Sequence, residues 1–378
     1  MVYLYGKNYT KEELLKKVGS LQQIFYNRMF EFIDGKEKGV RGIDIKNPSG
    51  LSFIVLLDRG MDIPFAEYKG ISLGWNSPIG YVSPSFFESE GDEWLRGYFG
   101  GLLTTCGLTY LGAPNIDLGE ILGLHGRISY TPAERVSINE KWHKNELTLE
   151  IVGKIREAKV FGPNILLERK ISTSIYSKKI LIEDKVRNEG WTRQPLMILY
   201  HINIGFPILD EGSYLVSTSI KVAARDDEAK EKIEEFNIFH KPVKGYREKV
   251  YFHELVGDRE KYAYAAIINE NLFDGIGVYI KFKKDALKRL IEWKMLGEGT
   301  YVVGIEPSNC FVMGRSWERK KGLLEYIDPQ EEKSFSVEIG VLDGKNEIQK
   351  FKEKVQKVKK GAEPELYEKL DLFLKNIA

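Results

Sequence analysis

Short apolar runs broken by turn residues dominate the chain. Residues 39–75, GVRGIDIKNPSGLSFIVLLDRGMDIPFAEYKGISLGW, carry Ile, Val, Leu and Phe in brief stretches separated by NPSG and YKG. Such punctuation predicts strands and tight turns. In LTLEIVGKI the side chains of Leu147, Leu149, Ile151 and Gly153 alternate with Thr148, Glu150, Val152 and Lys154. A period of two places the two sets on opposite faces, as in an antiparallel sheet with one wet face. Similar runs recur at PLMILYHINIGFPIL, YAYAAIINE, GIGVYIKFKK and SFSVEIGVL.

Helical signals are few. Thr10 and Glu13 form a T-x-x-E capping box ahead of Leu14, Leu15 and Val18. Residues 228–236 are a weaker candidate. Residues 345–376 place Phe351, Val355 and Val358, then Leu366, Leu370 and Leu374, at helical spacing around a break at Gly361 to Pro364. This predicts a docked C-terminal helical hairpin. The expected fold is all-β: one large two-sheet sandwich over residues 1–378, with short helical additions at both termini and a C-terminal extension at 345–378.

The 378 residues give ample material for a core, and a net charge of +1 offers no field for nucleic acid or an anionic membrane. No apolar run approaches the length of a membrane span, and the N-terminal stretch lacks the apolar segment of a signal peptide. Cys106 and Cys310 are the only cysteines, and their spacing resembles no metal site, so a reducing cytoplasm is the expected compartment. Nucleotide, P-loop and zinc-protease motifs are absent, and no pair among His125, His201 and His253 has short ligand spacing. No cofactor and no metal are expected.

Three stretches concentrate polar chemistry inside apolar runs: GLHGRIS (123–129), YHINIGFPILDEG (200–212) and VVGIEPSNCFVMGR (302–315). A polar side chain in such a run costs free energy unless it is hydrogen-bonded or used. His201 reads either as a satisfied core histidine or as part of a polar patch, since Asn203 two residues on shares its face. Glu306, held before Pro307 at the end of an apolar strand, reads as an ion-paired strand end or as a partly desolvated general base. Arg59, Arg127 and Arg315 are either internal ion pairs or planar forks for sugar hydroxyls, a carboxylate or a phosphate. Trp75, in SLGWNSP, is a core residue or a stacking platform for a sugar.

These stretches, with LLDRGMDI, GWNSP, GGLLTTCGL, GLHGR and EPSN in this order, resemble the galactose mutarotase-like superfamily, the aldose 1-epimerases. The likeness is closer to a bacterial aldose 1-epimerase-like branch carried as a domain of unknown function. It covers nearly the whole chain and includes the D-x-V-x-N-x-G ending at Asp184 to Gly190. The resemblance implies a β-supersandwich, an isomerase activity, no cofactor and a small-molecule carbohydrate ligand. It implies Glu306 as catalytic base, His201 as catalytic acid and His125 as a second histidine that contacts the sugar. It also implies a ring-hydroxyl aspartate that has no aligned counterpart; Asp226 is the candidate substitute, with Glu248 and His253 as weaker ones. Asn203 and Trp75 complete the binding set. The extra arginines point to an acidic or phosphorylated sugar. Epimerisation or isomerisation at another carbon, or sugar binding without catalysis, are the alternatives.

Overall fold

The computed structural model describes residues 1–377. The alternating stretches form strands as their period predicts. In Glu146–Ala158 the odd residues from Leu147 to Ile155 are buried and the even ones partly exposed. This strand belongs to an eight-stranded antiparallel sheet, which in spatial order runs Glu134–His143, Glu146–Ala158, Asn164–Ser174, Lys179–Asn188, Glu332–Asp343, Ile276–Lys283, Tyr262–Asn269 and Tyr214–Ser217.

A seven-stranded sheet packs on it. Its spatial order is Thr104–Leu108, Met197–Gly205, Thr300–Ser308, Arg289–Gly297, Lys249–Leu255, Ser219–Ala224 and Glu365–Tyr367. Tyr200, Ile202, Ile204, Val303 and Ile305 of this sheet share one core with Ile151, Ile182 and Val337 of the other. A third, five-stranded sheet over residues 26–72 adds Ile43, Phe53 and Val55 to the same core. The two-sheet expectation therefore undercounts. The N-terminal hairpins bury their own apolar face on the sandwich as a separate sheet.

All nine residues of Met197–Gly205 are buried. One face of the strand meets the inter-sheet core, and the other is roofed by loops, where Met197 and Leu199 join Leu111, Phe252, Ile291 and Phe311 in a second apolar cluster. A strand covered on both faces reads as a continuous apolar run, so the polar His201 and Asn203 on its roofed face stand out.

Helices are minor. The capping box forms at Thr10, and its helix spans only Lys11–Leu15, with Leu14 buried and Leu15 exposed. The 228–236 candidate resolves into Asp227–Lys230 and a 3-10 turn at Ile233–Glu235. Among the described residues Lys345–Lys359 is the one long helix, and it buries Ile348, Phe351 and Val355. The second arm of the expected helical hairpin is different. Glu365–Tyr367 adds a parallel strand beside Ser219–Ala224, and a short helix, Leu370–Leu374, buries Phe373. The edge of Ser219–Ala224 has unpaired backbone groups that a helix cannot satisfy and a strand can. Among the described residues no helix is long and apolar enough to cross a membrane.

Candidate active site

The site lies on the roofed face of the seven-stranded sheet. Strand register decides which side chains meet there. Asn203 pairs with Gly304 and Ile202 with Ile305, so His201 and Glu306 project side by side from adjacent strands. Ile291 lies directly opposite Glu306 on the next strand, and Trp293 opposite Gly304. His201 Nε2 is 3.2 Å from Glu306 Oε1, and the two residues are 5% and 2% exposed.

Gly304 makes room for the pair. A Cβ there would overlap Glu306 Oε1 and stand 3.2 Å from His201 Cε1. The tautomer of His201 follows from its other neighbours. Asn203 Nδ2 donates to the carbonyls of Gly100 and His201, 3.1 Å each, which turns its Oδ1 to the Tyr98 hydroxyl at 2.7 Å. Tyr98 spends its proton on Asn203 and presents a lone pair to His201 Nδ1 at 3.3 Å. Nδ1 therefore carries the ring proton, and Nε2 offers its lone pair towards Glu306.

Burial, reinforced by the nearby Glu248 charge, pushes the Glu306 carboxyl well above the ordinary carboxylate range. Burial, with repulsion from His125, pushes His201 down to about 3. Both shifts disfavour charge on the two groups. Nε2 and Oε1 are 3.2 Å apart, but Oε1 has no hydrogen-bond partner among the described residues, so the two side chains touch without a formed hydrogen bond.

His125 arrives from a loop rather than a strand. Its φ is +55°, a left-handed conformation that costs a side-chain-bearing residue free energy. The backbone holds it there: His125 N–H donates to the Gly112 carbonyl, and its own carbonyl accepts from Gly107 N–H, both at 3.1 Å. At Gly126 a Cβ would collide with the carbonyl oxygens of Gly107 and Tyr110, so this close crossing admits only glycine. The partly exposed ring packs 4.9 Å from Trp94 and 5.9 Å from His201. Its Nδ1 is buried without a partner among the described residues, which leaves Nε2 as the atom open to a ligand. Burial lowers its pKa to about 4.

His125, His201 and Glu306 line one cavity of about 290 Å³, walled by Trp94, Tyr98 and Trp293. At its far side Glu248 accepts from Trp293 Nε1 at 2.8 Å and from Arg225 at 2.9 Å, and Arg225 also pairs with Asp226 at 2.7 Å. This aromatic cleft, with a neutral acid–base pair at its floor, is suited to moving protons on a small polyhydroxy molecule without a net charge change.

Several sequence candidates lie elsewhere. Arg59 is fully buried; its guanidinium donates to the carbonyls of Ser129, Val82 and Gly97 and stacks 4.1 Å over Tyr130. It ties loops together and cannot reach the cavity. Arg315 is bound to Asp117 at 2.7 Å and also pairs with Glu120, pinning the hairpin Asn115–Leu122 to the helix Arg315–Lys321. Arg127 is exposed, stacks 5.3 Å over Phe87 and does not line the cavity. The left-handed turn at His125 and Gly126 breaks the strand geometry that would put His125 and Arg127 on one face. Asp226 caps the helix Asp227–Lys230 through Ala229 N–H. Asn203 acts through Tyr98 rather than on a ligand, and Trp75 packs behind Tyr98 and Trp293, 6.3 and 6.4 Å away. His253 lies on the opposite face of the sheet, between Ser219 and Glu292. The three histidines therefore do not converge, and among the described residues no three His, Cys, Asp or Glu side chains form a metal-sized group. Glu248, a weak candidate by sequence, does line the cavity, as does Arg225. Trp94 and Tyr98, in DEWLRGYFG, were missed because single aromatics in a 3-10 turn carry no distinctive spacing.

The fold is that of the galactose mutarotase-like proteins. A crystal structure from Klebsiella pneumoniae subsp. pneumoniae, described as a "putative aldose 1-epimerase", superposes with a TM-score of 0.88 at 24% identity, over 96% of this chain and 94% of that one. A galactose mutarotase-like protein from Clostridium acetobutylicum gives 0.59 at 13% identity, over 84% and 99%. Galactose 1-epimerase from Lactobacillus acidophilus gives 0.53 at 12%, over 85% and 99%. The chain belongs to the family described as a domain of unknown function, DUF4432, whose model matches residues 37–341. No curated protein matches it significantly.

Proposed function

We propose that this protein is a mutarotase, an aldose 1-epimerase-like isomerase that interconverts the anomers of an uncharged sugar. The observation that carries this reading is the His201–Glu306 pair, in direct contact at 3.2 Å on the floor of a cleft sized for a small ligand. Transfer of a proton from the Glu306 carboxyl to His201 Nε2, across the contact between them, generates a carboxylate and an imidazolium, the base and acid that ring opening needs. Glu306 then removes the proton of the anomeric hydroxyl as C1–O1 becomes a carbonyl. The bond from C1 to the ring oxygen breaks, and His201 protonates that oxygen. Rotation about C1–C2 and closure in the reverse sense give the other anomer and restore both groups. Tyr98 and Asn203 keep the imidazole in the required tautomer. His125 Nε2 is placed to hydrogen-bond the ring oxygen or a hydroxyl. Each proton-transfer group contributes about 10²–10⁴-fold.

The expectation of an anionic sugar rested on Arg59, Arg127 and Arg315, none of which lines the cavity. Arg225, the cation that does, is neutralised by Asp226 and Glu248. An uncharged aldose fits this balance better than a phosphate or uronate.

The test is anomer exchange by NMR in D₂O over a panel of neutral aldoses, uronates and sugar phosphates, for the parent protein and Glu306→Gln. Exchange that falls at least about 100-fold in a folded Glu306→Gln protein supports the assignment. Full exchange in that variant sinks it. Deuterium incorporated at carbon identifies an isomerase acting elsewhere on the sugar, and binding without exchange identifies a carbohydrate-binding protein.

A further inference from the structure

The floor of the cleft changes character across the sheet. His201 and Glu306 occupy two adjacent strands. Ile291 follows on the next strand, and Val250, opposite Trp293, on the strand after that. Adjacent strands stand about 4.8 Å apart, so a pyranose or furanose ring whose anomeric carbon sits at Glu306 extends over Ile291 and Val250. Beyond them the surface turns polar again at the Arg225–Glu248 pair, where Arg225 N–H also donates to the Val250 carbonyl.

The loops above this strip are equally poor in partners. Ala113, Pro114, Leu124 and Val312 line the cavity there. The Ala113 N–H and the Val312 carbonyl are bonded to each other, the Ala113 carbonyl accepts from Asn115, and Pro114 has no N–H. A hydroxyl carried into this zone loses water and meets no polar side chain among Ile291, Val250, Ala113, Pro114, Leu124 and Val312 to replace it. An unpaired buried hydroxyl is disfavoured strongly enough to set specificity.

We propose that the substrate is an uncharged deoxy aldose. A ring position close to the reacting carbon carries hydrogen in place of hydroxyl, or methyl in place of hydroxymethyl, over Ile291 and Val250, and hydroxyls at the distal end meet Glu248 as acceptor and Arg225 as donor. This inference rests on the mutarotase reading for which end of the sugar faces Glu306. It is distinct from that reading, because a fully hydroxylated sugar placing only its C–H face on the strip would satisfy the same chemistry.

Matched pairs test it: glucose with 2-deoxyglucose, ribose with 2-deoxyribose, and galactose with 6-deoxygalactose. Enzyme-catalysed anomer exchange is measured for each, relative to that sugar's own uncatalysed rate, together with calorimetric binding to the Glu306→Gln protein. The deoxy member of at least one pair is expected to be favoured at least about tenfold, equivalent to about 1.4 kcal/mol. Val250→Thr, which adds one hydroxyl at nearly constant volume, is expected to shrink that ratio towards one. Equal or better exchange with the parent sugar in all three pairs overturns the substrate class and leaves the mutarotase reading standing. Tighter binding of a deoxy sugar without exchange supports the substrate class and removes the mutarotase reading. Neither binding nor exchange with any of the six overturns the proposal.

Discussion

Gly304 allows the acid–base geometry to be perturbed without touching either reacting group. It sits two residues before Glu306 on the same face of a strand, and its backbone is not left-handed, so alanine is compatible with its conformation. The added methyl would stand 3.2 Å from both His201 Cε1 and Trp293 Cβ, and well inside contact distance of Glu306 Oε1. The carboxyl oxygen must retreat by about 1 Å to reach ordinary contact. Glu306 is 2% exposed and flanked by His201 and Ile291, so the carboxyl can retreat only into the cleft, off the position that faces the reacting carbon. A misplacement of about 1 Å at a reacting group costs about 100-fold in rate, or roughly 3 kcal/mol in the barrier. Alanine also removes some unfolded-state entropy, a gain of about 0.5–1 kcal/mol that offsets part of the crowding. Gly304→Ala is therefore expected to lose about 100-fold in anomer exchange by NMR saturation transfer, with stability within about 1 kcal/mol of the parent in urea. Exchange within about threefold of the parent would refute the packing argument. So would a loss that merely tracks unfolding.

Two further predictions concern protons and charge. With His201 and His125 lowered to about 3 and 4, neither histidine takes up a proton near the ordinary value of 6.5, so catalysed exchange is expected to show no acid limb centred there; such a limb would contradict the neutral imidazoles. His125 also links stability to pH. Its folded pKa lies below the unfolded 6.5, so the unfolded chain binds the extra proton, and stability present above 6.5 is lost as pH falls towards 4, at up to about 1.4 kcal/mol per pH unit. His125→Asn is expected to remove this ring's share of the slope seen in urea titrations. Arg59→Met is expected to destabilise by about 3–5 kcal/mol, because three buried carbonyls lose their donor. The folded fraction should keep its KM; a raised KM at unchanged stability would restore Arg59 as a ligand-binding residue.

The all-β architecture was legible because its strands alternate cleanly, as at Leu147 to Ile155. His125, His201 and Glu306 stood out as candidates because each interrupts an apolar run, and period two ties His201 to Asn203; that the three share one site was implied by the family resemblance and not by their spacing. The arginines misled because a sequence shows that a cation interrupts an apolar stretch without showing which way it points. Arg59 turns inward to three carbonyls, and Arg315 to Asp117 across 198 positions of chain. Tyr98 and Arg225 were invisible for the same reason, since their roles come from neighbours distant in sequence. The strand at Glu365–Tyr367 was read as helix because Leu366, Leu370 and Leu374 fit a helical period, while the open sheet edge that captures it lies 144 residues upstream, as in Leu366 beside Val222.

His125 has a consequence for how such a cleft ages under selection. A histidine at φ +55° keeps a backbone that glycine or asparagine would occupy at lower cost, by about 1–2 kcal/mol. Selection on folding alone therefore pulls the position away from an imidazole. In a library of variants chosen only for thermal resistance, position 125 should be among the first cavity positions to drift, and the ring should persist only where sugar turnover is selected as well.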